Sequence, residues 1–194
     1  MEKLTADFYR RDTLTVARDL LGKRLVHVQN GVVRAGRITE TEAYIGRMDK
    51  ACHAYGCRRT PRTQTLFAPP GTAYVYLIYG MYHCLNCVTE AEGEPCAVLL
   101  RGVEPLEGRA EMALERYGRS WEELTPRQRR GLADGPGKLC RALGITREEN
   151  GAPLTGDVIS VWDDGAPCPP IRAGKRIGID YAQEAVHFPW RFWI

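Results

Sequence analysis

Three stretches of this chain carry residue types at spacings that chemistry can use. The first is GRITETEAY, Gly36 to Tyr44. Side chains alternate between the faces of a strand, so Glu40, Glu42 and Tyr44 share one face while Arg37, Thr39 and Thr41 take the other. Carboxylates on alternate positions stand about 7 Å apart along a strand. Such a pair is either a solvated strand face or a site where one carboxylate acts as a general base. Its position favours the base. The strand ends there, a tyrosine follows on the same face, and a long loop begins.

The second stretch is that loop, with His53 in KACHAYGC. A lone loop histidine serves either structure or chemistry. The neighbouring thiols Cys52 and Cys57, with Cys84-x-x-Cys87, raise a zinc alternative. Cys84 to Cys87 lies in a strand pattern, where residues three apart face opposite ways, so no metal is expected. The third stretch is TAYVYLIYGMYHCLNC, Thr72 to Cys87. Two strand-forming runs flank Tyr79-Gly80, and Gly80 offers the positive φ of a tight hairpin. Tyr79 then stands at the tip with Ile78 and Met81 beside it, apolar groups aimed at water.

The elements that hold these residues follow from pattern. Asp12 caps a helix reaching Leu21, with Gly22 as its stop. KRLVHVQ and GVVRAGRITETEAYI, joined by Asn30-Gly31, form a hairpin with a type I′ turn. Residues 47–71 hold glycines and prolines throughout and form a long loop of the kind that is often functional. CAVLLRGVEP is another strand, and a helix is expected from Pro105 onward. Ser120-x-x-Glu123 reads as a capping box, and GPGKLCRALG as a helix with Pro136 near its first position. Lys138 and the free N–H groups there suit a phosphate. GDVISVW and KRIGID read as short strands. The whole is one α+β domain over residues 1–194 with a mostly antiparallel sheet.

Composition excludes several classes. At 44% hydrophobic and 26% charged the chain is ordinary globular protein. The start has no apolar run of signal-peptide length, and no stretch reaches the roughly 20 apolar residues of a membrane span. Seven cysteines make a closed disulfide framework unexpected and suit a reducing, cytoplasmic compartment. A net charge of +3 does not by itself require nucleic acid, but the basic residues cluster, as at Arg58, Arg59 and Arg62.

Taken together, GRITETEAYIGRMDKACHAYGCRRTPR and PGTAYVYLIYGMYHCLN resemble the alkyladenine (3-methyladenine) DNA glycosylase family of base-excision repair. LLRGVEPLEG, GPGKLCRAL and RIGI continue the resemblance in order, from about Leu14 to Phe192. The family implies an α+β fold with a curved, mostly antiparallel sheet, flanking helices and a protruding β-hairpin that inserts into DNA. It implies flipping of alkylated or deaminated purines out of duplex DNA and hydrolysis of the N-glycosidic bond, leaving an abasic site. By resemblance Glu42 is the general base that activates water, and Arg101 and the backbone of Ile177 help hold that water. Tyr44, His53 and Tyr76 line the base pocket, two of them sandwiching the purine, and Asn86 guards its floor. Tyr79 fills the gap left by the flipped nucleotide, with Ile78 and Met81 widening the wedge. Arg58 and Lys138 match positions near the DNA backbone. The implied protein is a monomer that needs no cofactor and no metal, binds no membrane, and works on damaged duplex DNA in the cytoplasm, at the nucleoid in a bacterium. The competing reading is a lesion-binding protein on the same scaffold without catalysis. The presence of Glu42, Arg101 and Asn86 argues against it.

Overall fold

The computed structural model describes residues 1–194. Nine strands form one sheet, and every pairing in it is antiparallel. They are β1 (Glu2–Lys3), β2 (Arg24–Gln29), β3 (Val32–Ile45), β4 (Ala73–Ile78), β5 (Tyr82–Thr89), β6 (Cys96–Glu107), β7 (Ile159–Asp163), β8 (Arg172–Gly174) and β9 (Arg191–Trp193). The helices are α1 (Ala6–Tyr9), α2 (Thr13–Asp19), α3 (Arg109–Tyr117), α4 (Pro126–Arg130) and α5 (Pro136–Leu143). The main strand order is β1-β7-β2-β3-β6-β5-β4, and β9, itself paired with β8, joins β3.

The long strand β3 organises the site. Asn30 and Gly31 both take left-handed φ, 52° and 77°, so the tight turn from β2 sets its register from Val32. β2 pairs with its first half through Arg37, and β9 takes over the same side at Glu40–Glu42. On its other side β6 runs the length of the strand, with register shifts around Glu40. Helices α2, α3 and α5 pack on the sheet, and Val16, Leu20, Leu25, Ile38, Leu85, Leu100, Met112, Leu139 and Leu143 are among the side chains buried in the shared core. A smaller cluster joins Cys52, Ala54, Leu66 and Phe67 of the long loop to Tyr74, Val88 and Ala97. That packing gives the loop a core of its own.

Three expectations are corrected. The chain does not turn helical at Pro105. Strand β6 continues to Glu107, and Pro105 sits opposite the irregularity between Ala35 and Gly36, where its missing donor costs no regular ladder bond. Helix α3 starts only after Gly108, at φ 74°. The Glu123 carboxylate accepts from the Ser120 N–H as half of a capping box would, yet no helix follows. The complete box is Thr125 with Gln128, and it opens α4. KRIGID is not a strand. The local strand is Arg172–Gly174, and residues 175–178 make no backbone–backbone hydrogen bond.

Candidate active site

A cavity of about 320 Å³ opens beside the end of β3, within the roughly 300–1,000 Å³ range of small-molecule sites. Its lining includes Tyr44, His53, Tyr76, Asn86, Arg101 and Ile177, which come from strands, the long loop and the irregular segment after β8. The sequence pattern thus converges in space across more than 130 residues of chain.

Glu42 forms the base behind this lining: it is fully buried and is hydrogen-bonded to the lining residues Tyr44, Arg101 and Ile177. Three donors converge on it: the Ile177 N–H on Oε1 at 2.8 Å, the Tyr44 hydroxyl on Oε2 at 2.7 Å, and Arg101 Nη1 on Oε2 at 3.4 Å. A carboxylate offers about four lone-pair directions, so Oε1 keeps one open. Burial raises the pKa of Glu42, and the Arg101 charge, the Tyr44 hydroxyl and the Ile177 N–H act in the opposite sense. Glu40 shares its strand face, as alternation requires, but in a different setting. It pairs with Arg101 Nε at 3.1 Å and Arg191 Nε at 2.7 Å. One carboxylate is thus neutralised by two arginines at the site's edge, whereas the other sits among mostly neutral donors in the interior.

The walls are aromatic. His53 and Tyr76 meet edge to face with centroids 4.6 Å apart. A purine between two rings needs about 7 Å, twice the contact distance of carbon atoms, so no base fits between this pair. They form one wall together. The His53 Nδ1 lies 3.0 Å from the Tyr74 hydroxyl. Part of His53 is open to solvent, but the surrounding protein and the Arg62 guanidinium push its pKa down to about 4, so the ring is neutral at pH 7. Burial likewise pushes Tyr76 far above the usual phenol range. The amide of Asn86, on β5, donates to Tyr74 O at 3.0 Å, which holds it at the cavity lining.

The β4–β5 hairpin overhangs the opening, with Ile78 and Tyr79 at the cavity's edge. Tyr79 is 85% exposed and Met81 67%. Not only Gly80 (φ 68°) but also Tyr79 (φ 51°) takes left-handed backbone, and the Met81 N–H closes the turn on Ile78 O. That conformation is uncommon for a bulky residue and costs about 1–3 kcal/mol. Arg58 and Lys138 are both exposed outside the cavity, Lys138 in the first turn of α5. Cys84 lines the cavity while Cys87 is packed in the main core, so the two thiols face opposite sides of β5. No three His, Cys, Asp or Glu side chains are gathered as metal ligands.

Sequence reasoning missed four contributors. Tyr74 lies two residues before Tyr76 on the same strand face, and period-two alternation alone could have flagged it. Arg62, Asp49 and Arg176 had no such local signal.

The model of the methylpurine-DNA glycosylase (MPG) family matches residues 7–194. A Clostridium perfringens protein named "Putative 3-methyladenine DNA glycosylase" is 55% identical over 195 residues, covering 99% of this chain and 95% of its own. Proteins of the same name from Alkaliphilus oremlandii and Bacillus cereus are 53% and 52% identical, covering 99% and 96% of this chain and 95% and 92% of their own. This chain belongs to the methylpurine-DNA glycosylase family. It is accordingly a monofunctional DNA glycosylase, a hydrolase of N-glycosyl bonds that serves DNA repair. No helix of the fold is long and apolar enough to cross a membrane.

Proposed function

We propose that the enzyme flips alkylated or deaminated purines, of the 3-methyladenine, 7-methylguanine, hypoxanthine and ethenoadenine class, out of duplex DNA. It then cleaves the N-glycosidic bond with water activated by Glu42 and leaves an abasic site. The observation that carries this reading is a fully buried carboxylate with three fixed donors beneath an aromatic cavity.

The chemistry runs as follows. Bond breaking gives the sugar oxocarbenium character, as in glycoside hydrolysis. Anionic Glu42 stabilises that charge and takes the proton of the attacking water on the free side of Oε1. The Ile177 N–H and Arg101 hold the carboxylate in one orientation and oppose the effect of burial on its pKa. A pKa lifted towards the working pH is what a general base needs. Tyr44 faces the base on one side, and the His53–Tyr76 pair faces it on the other. Because His53 is neutral, this wall does not repel a cationic alkylated purine, and the aromatic faces attract it.

Flipping costs a few kcal/mol of stacking and pairing. An aromatic–base contact is worth about 1–3 kcal/mol, so Tyr79 entering the gap, with Ile78 and Met81, offsets much of that cost. Arg58 and Lys138 contact the DNA backbone in this reading. Asn86 rejects the 2-amino group of normal guanine. The protein acts as a single-domain monomer on cytoplasmic DNA. The test is incubation with duplex oligonucleotides carrying hypoxanthine, ethenoadenine or 7-methylguanine, followed by alkali. Strand breaks at the lesion are expected. Tight lesion binding without breaks would favour the non-catalytic reading instead.

A further inference from the structure

Behind the site lies an ion pair that the mechanism above does not use. The side chains of Arg176 and Asp49 are completely buried. Arg176 Nη1 and Nη2 reach the two Asp49 oxygens at 2.5 and 2.7 Å, a bidentate fork. The same guanidinium donates to Ala43 O at 2.8 Å and to Ala185 O at 3.3 Å. It also lies within cation–π distance of two rings, 4.6 Å from the Tyr44 centroid and 5.2 Å from that of Trp190.

Two features give this placement a catalytic meaning. Ala43 stands between Glu42 and Tyr44. Its N–H is held by Trp190 O, and its C=O by Arg176, just where β9 ceases to pair with β3. Arg176 thus continues the sheet's hydrogen bonding at the residue that spaces the base from the stacking ring. Arg176 also directly precedes Ile177, whose N–H meets Glu42. Residues 175–178 make no backbone–backbone hydrogen bond, so the Arg176 side chain is the anchor nearest to that N–H. A buried ion pair is often no more stabilising than apolar residues of the same shape. Stability is therefore not by itself a sufficient reason for such a pair.

We propose that Arg176, locked by Asp49, is a positioning residue for the reaction, which fixes the Ile177 N–H against Glu42 and the backbone that carries Tyr44. This inference rests on Glu42 being the general base. The charged and titratable groups around Glu42 are Glu40 and Tyr44 on its own strand, Arg101 on β6, Cys84 on β5 and Arg176 itself. Removing the Ile177 N–H takes away one of the contacts that hold the carboxylate ionised. The acid limb of the rate profile then moves to higher pH.

The experiment measures single-turnover excision of 7-methylguanine against pH for wild type, Glu42→Gln, Arg176→Lys and Asp49→Asn, with rates per folded active site. 7-Methylguanine carries its own positive charge, so the acid limb reports the base rather than protonation of the leaving group. Lys keeps the charge of Arg176 but cannot serve Asp49, Ala43 and Ala185 together. Arg176→Lys and Asp49→Asn should lose about 10²-fold in rate, the scale of a 1 Å misplacement, and their acid limbs should shift upward. An unmoved limb overturns the inference, whether or not the rate or the melting temperature falls. Where neither variant folds, Gly178→Ala gives the answer. Gly178 has φ 74° and an added Cβ would meet no protein atom within 4 Å, so the change strains the backbone beside Ile177 and adds one methyl group to the cavity lining, which alters base binding but not the position of the acid limb. The same upward shift is expected, and its absence overturns the inference. An active Glu42→Gln would instead sink the general-base reading itself, which separates the two failures.

Discussion

The hairpin tip and the cavity base invert each other's chemistry. At the tip, Tyr79 and Met81 put apolar surface into water, and Tyr79 does so on a left-handed backbone. At the base, Glu42 is fully buried and Arg101 is 9% exposed, so charge sits where apolar groups belong. Both arrangements work against folding. Exposed aromatics lose the burial worth about 1.5–3 kcal/mol for a large side chain, and a buried carboxylate must be held by donors. Local rules fail in natural proteins chiefly at functional sites. The two failures differ in kind. The tip is built from sequence neighbours and can change without disturbing the core. The base draws on β3, β6 and the segment after β8, so each of its residues leans on the others.

The sharpest way to break this comparison is at Glu42. Glu42→Gln keeps the size and loses the base, and general-base roles are worth about 10²–10⁴-fold. Single-turnover excision should fall by that amount while lesion binding persists. Glu40→Gln should cost far less, because Glu40 is held in ion pairs with Arg101 and Arg191, whereas Glu42 meets the cavity-lining Tyr44 and Ile177. A Glu42→Gln enzyme within threefold of wild type, beside an inactive Glu40→Gln, would assign the roles the other way round.

Tyr79→Ser probes the tip. The loss of one aromatic–base contact, about 1–3 kcal/mol, should lower the flipped population roughly 5- to 150-fold. The melting temperature should stay put, because the ring touches no core. Fluorescence of a flipped ethenoadenine reads the first quantity and thermal denaturation the second. A lowered melting temperature with unchanged flipping would make Tyr79 a structural residue.

Asn86→Ser probes the floor between them. Leaving a buried donor unpaired, or clashing with it, costs about 1–3 kcal/mol. Guanine excision should therefore rise about 5- to 150-fold relative to hypoxanthine. A ratio that stays constant would place guanine exclusion elsewhere, with the loop around His53 the next candidate.

How much of this was legible in the sequence follows the range of the interactions. Strand alternation is a period-two signal, so Glu40, Glu42 and Tyr44 fall on one face as the spacing predicts, with Arg101 joining both carboxylates. The Asn30-Gly31 turn and the start of α5 are local and equally readable. The left-handed φ of Tyr79 was not, because only Gly80 advertises it. The extent of β6 past Pro105 depended on an irregularity in its partner strand, which no local pattern reports. KRIGID has the composition of a strand, yet its arginine is withdrawn to Asp49, 127 residues away. An ion pair at that separation leaves no trace in either neighbourhood.

The smallest expected effect concerns the wall, where the His53 pKa lies at about 4 in the folded protein and near 6.5 in an unfolded chain. Between those values the unfolded chain binds more protons, so stability falls as pH drops from about 6.5 to about 4. Glu42 acts in the opposite sense. Burial raises its folded pKa, so its contribution to stability declines as pH rises through that pKa. Wall and base thus pull the pH dependence apart, and wild type shows only their sum. His53→Gln removes the first and leaves the second. The variant should lose less stability than wild type on going from pH 6.5 to 4.5, as read by urea unfolding at fixed ionic strength. The difference is modest because His53 is solvent-exposed, and solvent screens the shift. Taking the difference between the two proteins cancels every other carboxylate and histidine. If wild type and His53→Gln change in parallel across this window, the ring is not held neutral by its surroundings. The wall would then carry a charge at mildly acidic pH, and its tolerance of cationic purines would need another cause.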